Sequence, residues 1–179
     1  RSDVVREVAY QTLTKLVRAQ RHAGTASAMA HMPQSPIDQL AHHAATAAEL
    51  VAEIGPVPGV SRNISEQAIG LLLAAAQRAL DVGALHQAQR HAGRALDLCP
   101  SDPVIARELL LVRAEAATER REAARARVDA EAALAAALIG EDPRHEGRAR
   151  RLLGRLEQYD GNLDAARAEL GTSVELFRE

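Results

Sequence analysis

The feature that most constrains this chain is an internal repeat of helical-hairpin length. Counting from Ala76 in fixed steps gives Gly83, Ala88, Ala92, Ala95, Leu96 and Pro100. The same steps from Ala114 give Arg121, Ala126, Ala130, Ala133, Leu134 and Leu138. From Gly154 they give Gly161, Ala166, Leu170, Ser173, Val174 and Arg178. The three starting points lie 38 and 40 residues apart. Periods in this range mark stacked supersecondary units, each unable to bury its apolar face alone.

Each repeated position has a physical role. Small residues at Ala76, Ala114 and Gly154 let the first helix of a unit approach its second. Gly83 and Gly161 can adopt the positive φ needed where the first helix ends. Ala88, Ala126 and Ala166 fall where the two helices cross, and the Ala-Leu or Ser-Val pair that follows packs toward the next unit. Leu72, Leu96, Leu110, Leu134, Leu153 and Leu170 are the expected core, each contributing roughly 1.5–3 kcal/mol when fully buried.

Composition agrees with this reading. The apolar residues make up 47% of 179, with two Tyr, one Phe and no Trp. Alanine and leucine dominate them, which favours helix and leaves few residues suited to strands. Ahead of the repeats, helical spacing runs over residues 3–32, with Ser2 or Asp3 as cap and Gly24 as a weak point. A second helix follows Pro36 and continues to about Ile54. The run Gly55-Pro56-Val57-Pro58-Gly59 is the strongest breaker, placing an internal boundary at 55–63. The expected fold is therefore all-α, a right-handed α-solenoid of antiparallel helical hairpins. An N-terminal segment (1–58) of about three to four helical stretches leads into repeats over 59–179 (about 64–100, 102–139 and 143–179).

The repeat pattern resembles the tetratricopeptide repeat. The first unit matches best; the second carries Arg121 in place of the turn glycine, and Arg150 in the third stands where a large apolar residue is usual. Val5-Arg6-Glu7-Val8-Ala9-Tyr10 with Leu13 resembles a helix that follows the ATPase module of large bacterial signalling proteins. Leu40-Ala41-His42-His43 with Ala48-Glu49-Leu50 resembles a second segment of the same proteins, with Ala44 replacing their usual tyrosine. Ala76-Gln77-Arg78-Ala79-Leu80 with Gly83-Ala84 and Ala88 resembles the start of their repeats. These proteins are multidomain adenylate/guanylate cyclase-like ATPases, and LuxR-type ATPase transcriptional activators share the middle architecture. The resemblance implies a non-catalytic, cytoplasmic interaction or scaffold region, in an (actino)bacterial parent whose enzymatic domains lie elsewhere. The chain starts at Arg1 without Met and ends within helical spacing at Glu179, and is expected to be a piece of a longer protein.

Chemistry-bearing patterns are sparse. Neither GxxxxGK[ST] nor GxGxxG occurs, so a catalytic or nucleotide-sensing domain is the weaker reading, and no catalytic residue, cofactor or metal is expected. His42 and His43 are adjacent, and neighbours on a helix point about 100° apart, whereas chelating pairs sit at i,i+4. They read as one packed and one solvent-facing histidine. Cys99 is the sole cysteine and reads as a small filler. The net charge is -2 with interspersed signs, which gives no basic field for nucleic acid or a membrane surface. Glu119, Arg120, Arg121, Glu122, Arg125 and Arg127 read as a solvated, ion-paired helix face.

The expected partner is a protein or peptide, including other domains of the same chain, with self-association through the C-terminal helix (163–179) as a further expectation. By resemblance, the groove faces the first helix of each hairpin. That assigns Gln77 and Asp81 in the first unit, Glu108, Leu111, Glu115 and Glu119 in the second, and Arg148, Arg151 and Arg155 in the third. The groove should be acidic at its centre and basic toward its C-terminal end; the alternative reading is that Glu and Arg from neighbouring hairpins pair across the stack, each pair contributing roughly 0–1 kcal/mol. It should lack the Lys/Asn clamp by which chaperone-binding relatives hold a peptide carboxylate.

Overall fold

The computed structural model describes residue 8 and residues 10–178. Among these the chain is helical, without strands. The helices are α1 (Lys15–Ala30), α2 (Ile37–Ile54), α3 (Ile64–Asp81), α4 (Leu85–Asp97), α5 (Pro103–Glu119), α6 (Ala123–Ile139), α7 (Pro143–Asp160) and α8 (Leu163–Leu176). The chain divides into two compact units, 1–75 and 76–179, so the division falls inside α3. The sequence places the boundary at the Gly/Pro breaker of 55–63. The helix that follows the breaker contributes to both units: its first turns line a cleft with α1 and α2, and its last packs against α4.

In the first unit, α1 and α2 pack through alanines: Ala19 and Ala26 from one, Ala41, Ala44, Ala45, Ala47 and Ala48 from the other. The expected single helix over 3–32 is broken. Thr14 is extended (φ -63, ψ 154) and caps α1, its hydroxyl accepting from the Val17 amide at 3.3 Å. A threonine hydroxyl that can bond to nearby backbone favours a cap over a helix interior. The proposed cap at Ser2 or Asp3 lies outside the described residues; among the described residues two full helices precede the repeats, with residues 8, 10 and 11 also helical ahead of α1. Gly55 and Gly59 take positive φ in the breaker, and Val57 is buried. Gln20 donates to the Pro58 carbonyl at 2.8 Å and ties this loop to α1. Ala44, where the resembled segment carries tyrosine, lines the cleft of about 770 Å³ between α1, α2 and the start of α3.

The second unit is a run of consecutive antiparallel pairs, α4 on α5, α5 on α6, α6 on α7 and α7 on α8, with α5 also touching α7. The turns inside the three hairpins share one hydrogen-bond pattern, in which a left-handed residue lets the next amide reach back five residues, and the turn at Glu141 (φ 49) between α6 and α7 repeats it, Asp142 reaching the Ala137 carbonyl at 3.0 Å. Ala84 reaches the Ala79 carbonyl (2.8 Å), Glu122 reaches Ala117 (2.9 Å) and Asn162 reaches Glu157 (2.9 Å). The left-handed residues of the hairpins are Gly83 (φ 74), Arg121 (φ 61) and Gly161 (φ 82), all at the turn position of the repeat. Between successive hairpins of this unit, Asp102 and Asp142 cap α5 and α7, each followed by proline at the first helical position.

The core of this unit unites Leu111, Ala114 and Ala117 with Ala126, Ala130 and Ala133 and with Ala149, Leu152, Leu153 and Leu156. Ala88, Ala126 and Ala166 are buried as expected of crossing points. Leu72 and Leu153 are buried, but Leu96, Leu110, Leu134 and Leu170 are only half-buried. The more deeply buried leucines are Leu109, Leu111, Leu152 and Leu156, because α5 and α7 are covered by helices on several sides. Ser173 is buried and donates to the Gly147 carbonyl at 2.7 Å, while Val174 is exposed and does not pack inward.

Two substitutions test this architecture. A Cβ on Gly154 would lie 2.7 Å from Leu170 Cγ. Gly154→Ala should therefore fail to show the roughly 0.8–1.0 kcal/mol gain that Gly→Ala gives in an open helix, and should lower the melting temperature. Gly83→Val should destabilise by about 1–2 kcal/mol, whereas Arg121→Gly, at the equivalent turn, should not destabilise. Thermal and urea unfolding of the three variants would check these signs.

Candidate interaction groove

One groove of about 730 Å³ opens along the second unit. Its walls include Gln77, Asp81, Glu108, Glu115, Glu119 and Arg148, six of the nine residues assigned from sequence. Leu80, Leu85 and Val112 add an apolar component that sequence reasoning missed. The first two flank the Gly83 turn, and that adjacency was the available signal.

Leu111 is a correction. It is fully buried among Ala114, Ala130, Leu152 and their neighbours, and does not face the groove. Spacings of three and four placed it beside Glu108 and Glu115, but α5 carries α6 and α7 as well as α4, so its open strip is narrower than the pattern assumed.

Arg151 and Arg155 join the site through their partners. Arg148 pairs with Glu108 (2.5 Å), Arg151 with Glu115 (3.4 Å) and Arg155 with Glu119 (2.7 Å). The three pairs form successive rungs from α7 to α5. The glutamates stand on α5 and the arginines on α7, and the arginines reach back across the stack to pair with them, so the two charged strips neutralise each other locally.

The first rung is the most embedded. Gln77 donates to Glu108 Oε1 at 3.2 Å, and His145 Nε2 lies 3.2 Å from Glu108 Oε2. His145 Nδ1 lies 2.6 Å from Asp142 Oδ2, which also accepts from Arg107 Nη2 at 3.0 Å. Arg107 is buried and its Nε has no hydrogen-bond partner. Burial pushes the Glu108 carboxyl up, but the hydrogen bond and charge of Arg148, with Gln77 and His145, outweigh it and hold the group below its usual 4.5. Asp142 is likewise held low: burial raises it, and its bonds to His145 and Arg107 prevail. A carboxylate held this way stays ionised near neutrality, a state suited to charge pairing rather than proton transfer.

Several charged positions outside the groove are paired too. Arg150 bridges Glu146 (2.7 Å) and Glu169 (3.0 Å), which explains a long cation at an apolar repeat position. Arg113 holds the buried Asp129 through two bonds of 2.7 Å. In the charged stretch 119–127, Glu122 meets Arg120 and Arg125, Arg127 meets Glu157 and Asp160, and Arg121 lies over the Tyr159 ring at 4.9 Å. Cys99 is exposed, at a left-handed turn (φ 53), and is not the buried filler expected. Among the described residues the one convergent set of metal-ligating side chains, His22, His42 and His43, belongs to the first unit and not to this groove.

Fold and site together define an all-α stack of helical hairpins with a polar, ion-paired groove. Compared with known proteins, the chain matches no protein-family model and no curated sequence. Among the described residues no helix is long and apolar enough to cross a membrane.

The Glu108 environment has a pH consequence. A carboxylate whose folded pKa is lowered stabilises the fold above its unfolded value, and that contribution is lost as pH falls through the folded value. At pH 7, Glu108→Gln should therefore cost about 1–2 kcal/mol. The gap between wild type and variant should hold down to about the usual 4.5 and close below it. Melting curves from pH 7 to pH 3 would measure this.

Proposed function

We propose that this chain is a non-catalytic tetratricopeptide-type interaction region of a larger cytoplasmic signalling protein of the cyclase-like ATPase class. In this role the groove of the second unit receives a peptide or another domain of the same protein. The observation that carries the reading is the groove itself: polar walls from α3, α5 and α7 line a continuous channel beside an apolar component of Leu80, Leu85 and Val112. Extended peptides suit such a site, because the charged rungs can exchange partners at modest cost. Partly exposed ion pairs contribute roughly 0–1 kcal/mol each. The three motif resemblances in the lead-in and first repeat point to the same parent class.

The decisive experiment replaces Arg148, Arg151 and Arg155 with Ala together. Binding to the remaining domains of the full-length protein, measured by calorimetry, should weaken by about tenfold or more, roughly 1.4 kcal/mol. The melting temperature should fall by no more than it does for Glu108→Gln, since Arg148 is the partner whose loss strands that carboxylate. Unchanged binding with a large loss of stability would leave the rungs a purely structural role and overturn the reading. A marked thermal shift with ATP would instead favour a nucleotide-sensing domain.

A further inference from the structure

The first unit contains a cluster that the groove does not explain. His22 on α1 meets His42 and His43 on α2, and one ligand nitrogen from each lies within 4.8 Å of the others. The His22 and His43 Nδ1 atoms are 2.9 Å apart. Ring centroids are 5.0 Å apart for His22 and His43, 5.9 Å for His22 and His42, and 5.3 Å for His42 and His43. Same-helix spacing argued against His42-His43 as a chelating pair, but it took no account of His22, which the α1–α2 packing delivers from across the helix pair.

We propose that His22, His42 and His43 form a binding site for a divalent first-row transition ion of the zinc type. Three observations converge on this. Imidazole nitrogens suit zinc, copper and nickel, whereas calcium and magnesium require oxygen ligands, and among the described residues the cluster offers nitrogen ligands. The spacing fits: two nitrogens at 2.0–2.1 Å from a tetrahedral ion lie about 3.3 Å apart, a few tenths of an ångström beyond the His22–His43 separation.

The third observation is an oriented supporting shell. Tyr10 Oη lies 3.0 Å from His22 Nε2, on the opposite side of the ring from His43. With Nε2–H donating to Tyr10, the lone pair of Nδ1 points into the cluster, as ligating histidines require. The Arg18 guanidinium lies over the Tyr10 ring at 5.2 Å and helps to seat it. His22 and His43 are half-buried while His42 is exposed, so a fourth position is open to water. Zinc tolerates such a set because it has no geometric preference arising from d electrons. The ion would join α1 to α2, a pair otherwise packed mainly through alanines.

The test is Zn²⁺ titration of the whole chain by calorimetry, with Co²⁺ as a spectroscopic probe. About one equivalent should bind, raise the melting temperature and, with Co²⁺, give the intense visible bands of a four-coordinate site. His42→Ala, exposed and expected to fold, should lose that binding, as should His22→Gln and His43→Gln. His86→Ala, in the second unit, should retain it. Tyr10→Phe should weaken binding roughly tenfold, because it frees the His22 ring without removing a ligand. The proposal is overturned if the wild type shows no saturable uptake, or if uptake survives His42→Ala and His43→Gln while His86→Ala abolishes it.

Discussion

Close approach of helices through small side chains underlies everything else in this molecule. Ala88, Ala126 and Ala166 are buried at the crossings, and Gly154 lies against Leu170 with no room for a methyl group. Alanine contributes little apolar area, so a stack built this way depends on a limited set of buried leucines and on fit. Leu109, Leu111, Leu152 and Leu156 supply that set from α5 and α7. The same closeness leaves long side chains nowhere to go but the edges. There they extend across to neighbouring helices, which is why so many arginines end on carboxylates.

The groove inherits this economy. Its arginines stand on α7, its glutamates on α5, and the narrow gap between the two helices makes pairing geometrically easy. Embedded near Asp142 and His145, the Glu108 rung also belongs to the network that caps α7. Toward Glu119 the pairs become more exposed and more screened by solvent. A partner would therefore meet a graded surface, fixed at one end and exchangeable at the other.

Much of the fold was legible because helix packing imposes a period on residue size. The positions of Ala114, Ala126 and Ala130, and the turn residues Gly83 and Gly161, are direct readouts of that period. Arg121 shows that the turn conformation outlasts the glycine: the five-residue reach-back of Glu122 forms with a bulky residue in the left-handed position. What could not be read was how many neighbours each helix has. Leu111 was assigned to the groove because periodicity gives a face but not how much of the helix is covered. The meeting of His22 with His43 was hidden for the same reason, since it exists only through the α1–α2 pairing. Thr14 was overlooked as a cap because apolar spacing continued on both sides of it.

The aromatic residues are few, and their placement has a practical consequence. The chain has two tyrosines and no tryptophan. Tyr10 is hydrogen-bonded to His22 in the first unit, and Tyr159 is stacked under Arg121 in the second. Each unit thus carries one intrinsic chromophore in a distinct setting. Single Tyr→Phe variants make tyrosine emission a separate optical channel for each unit, so loss of order in one can be followed while the other stays dark.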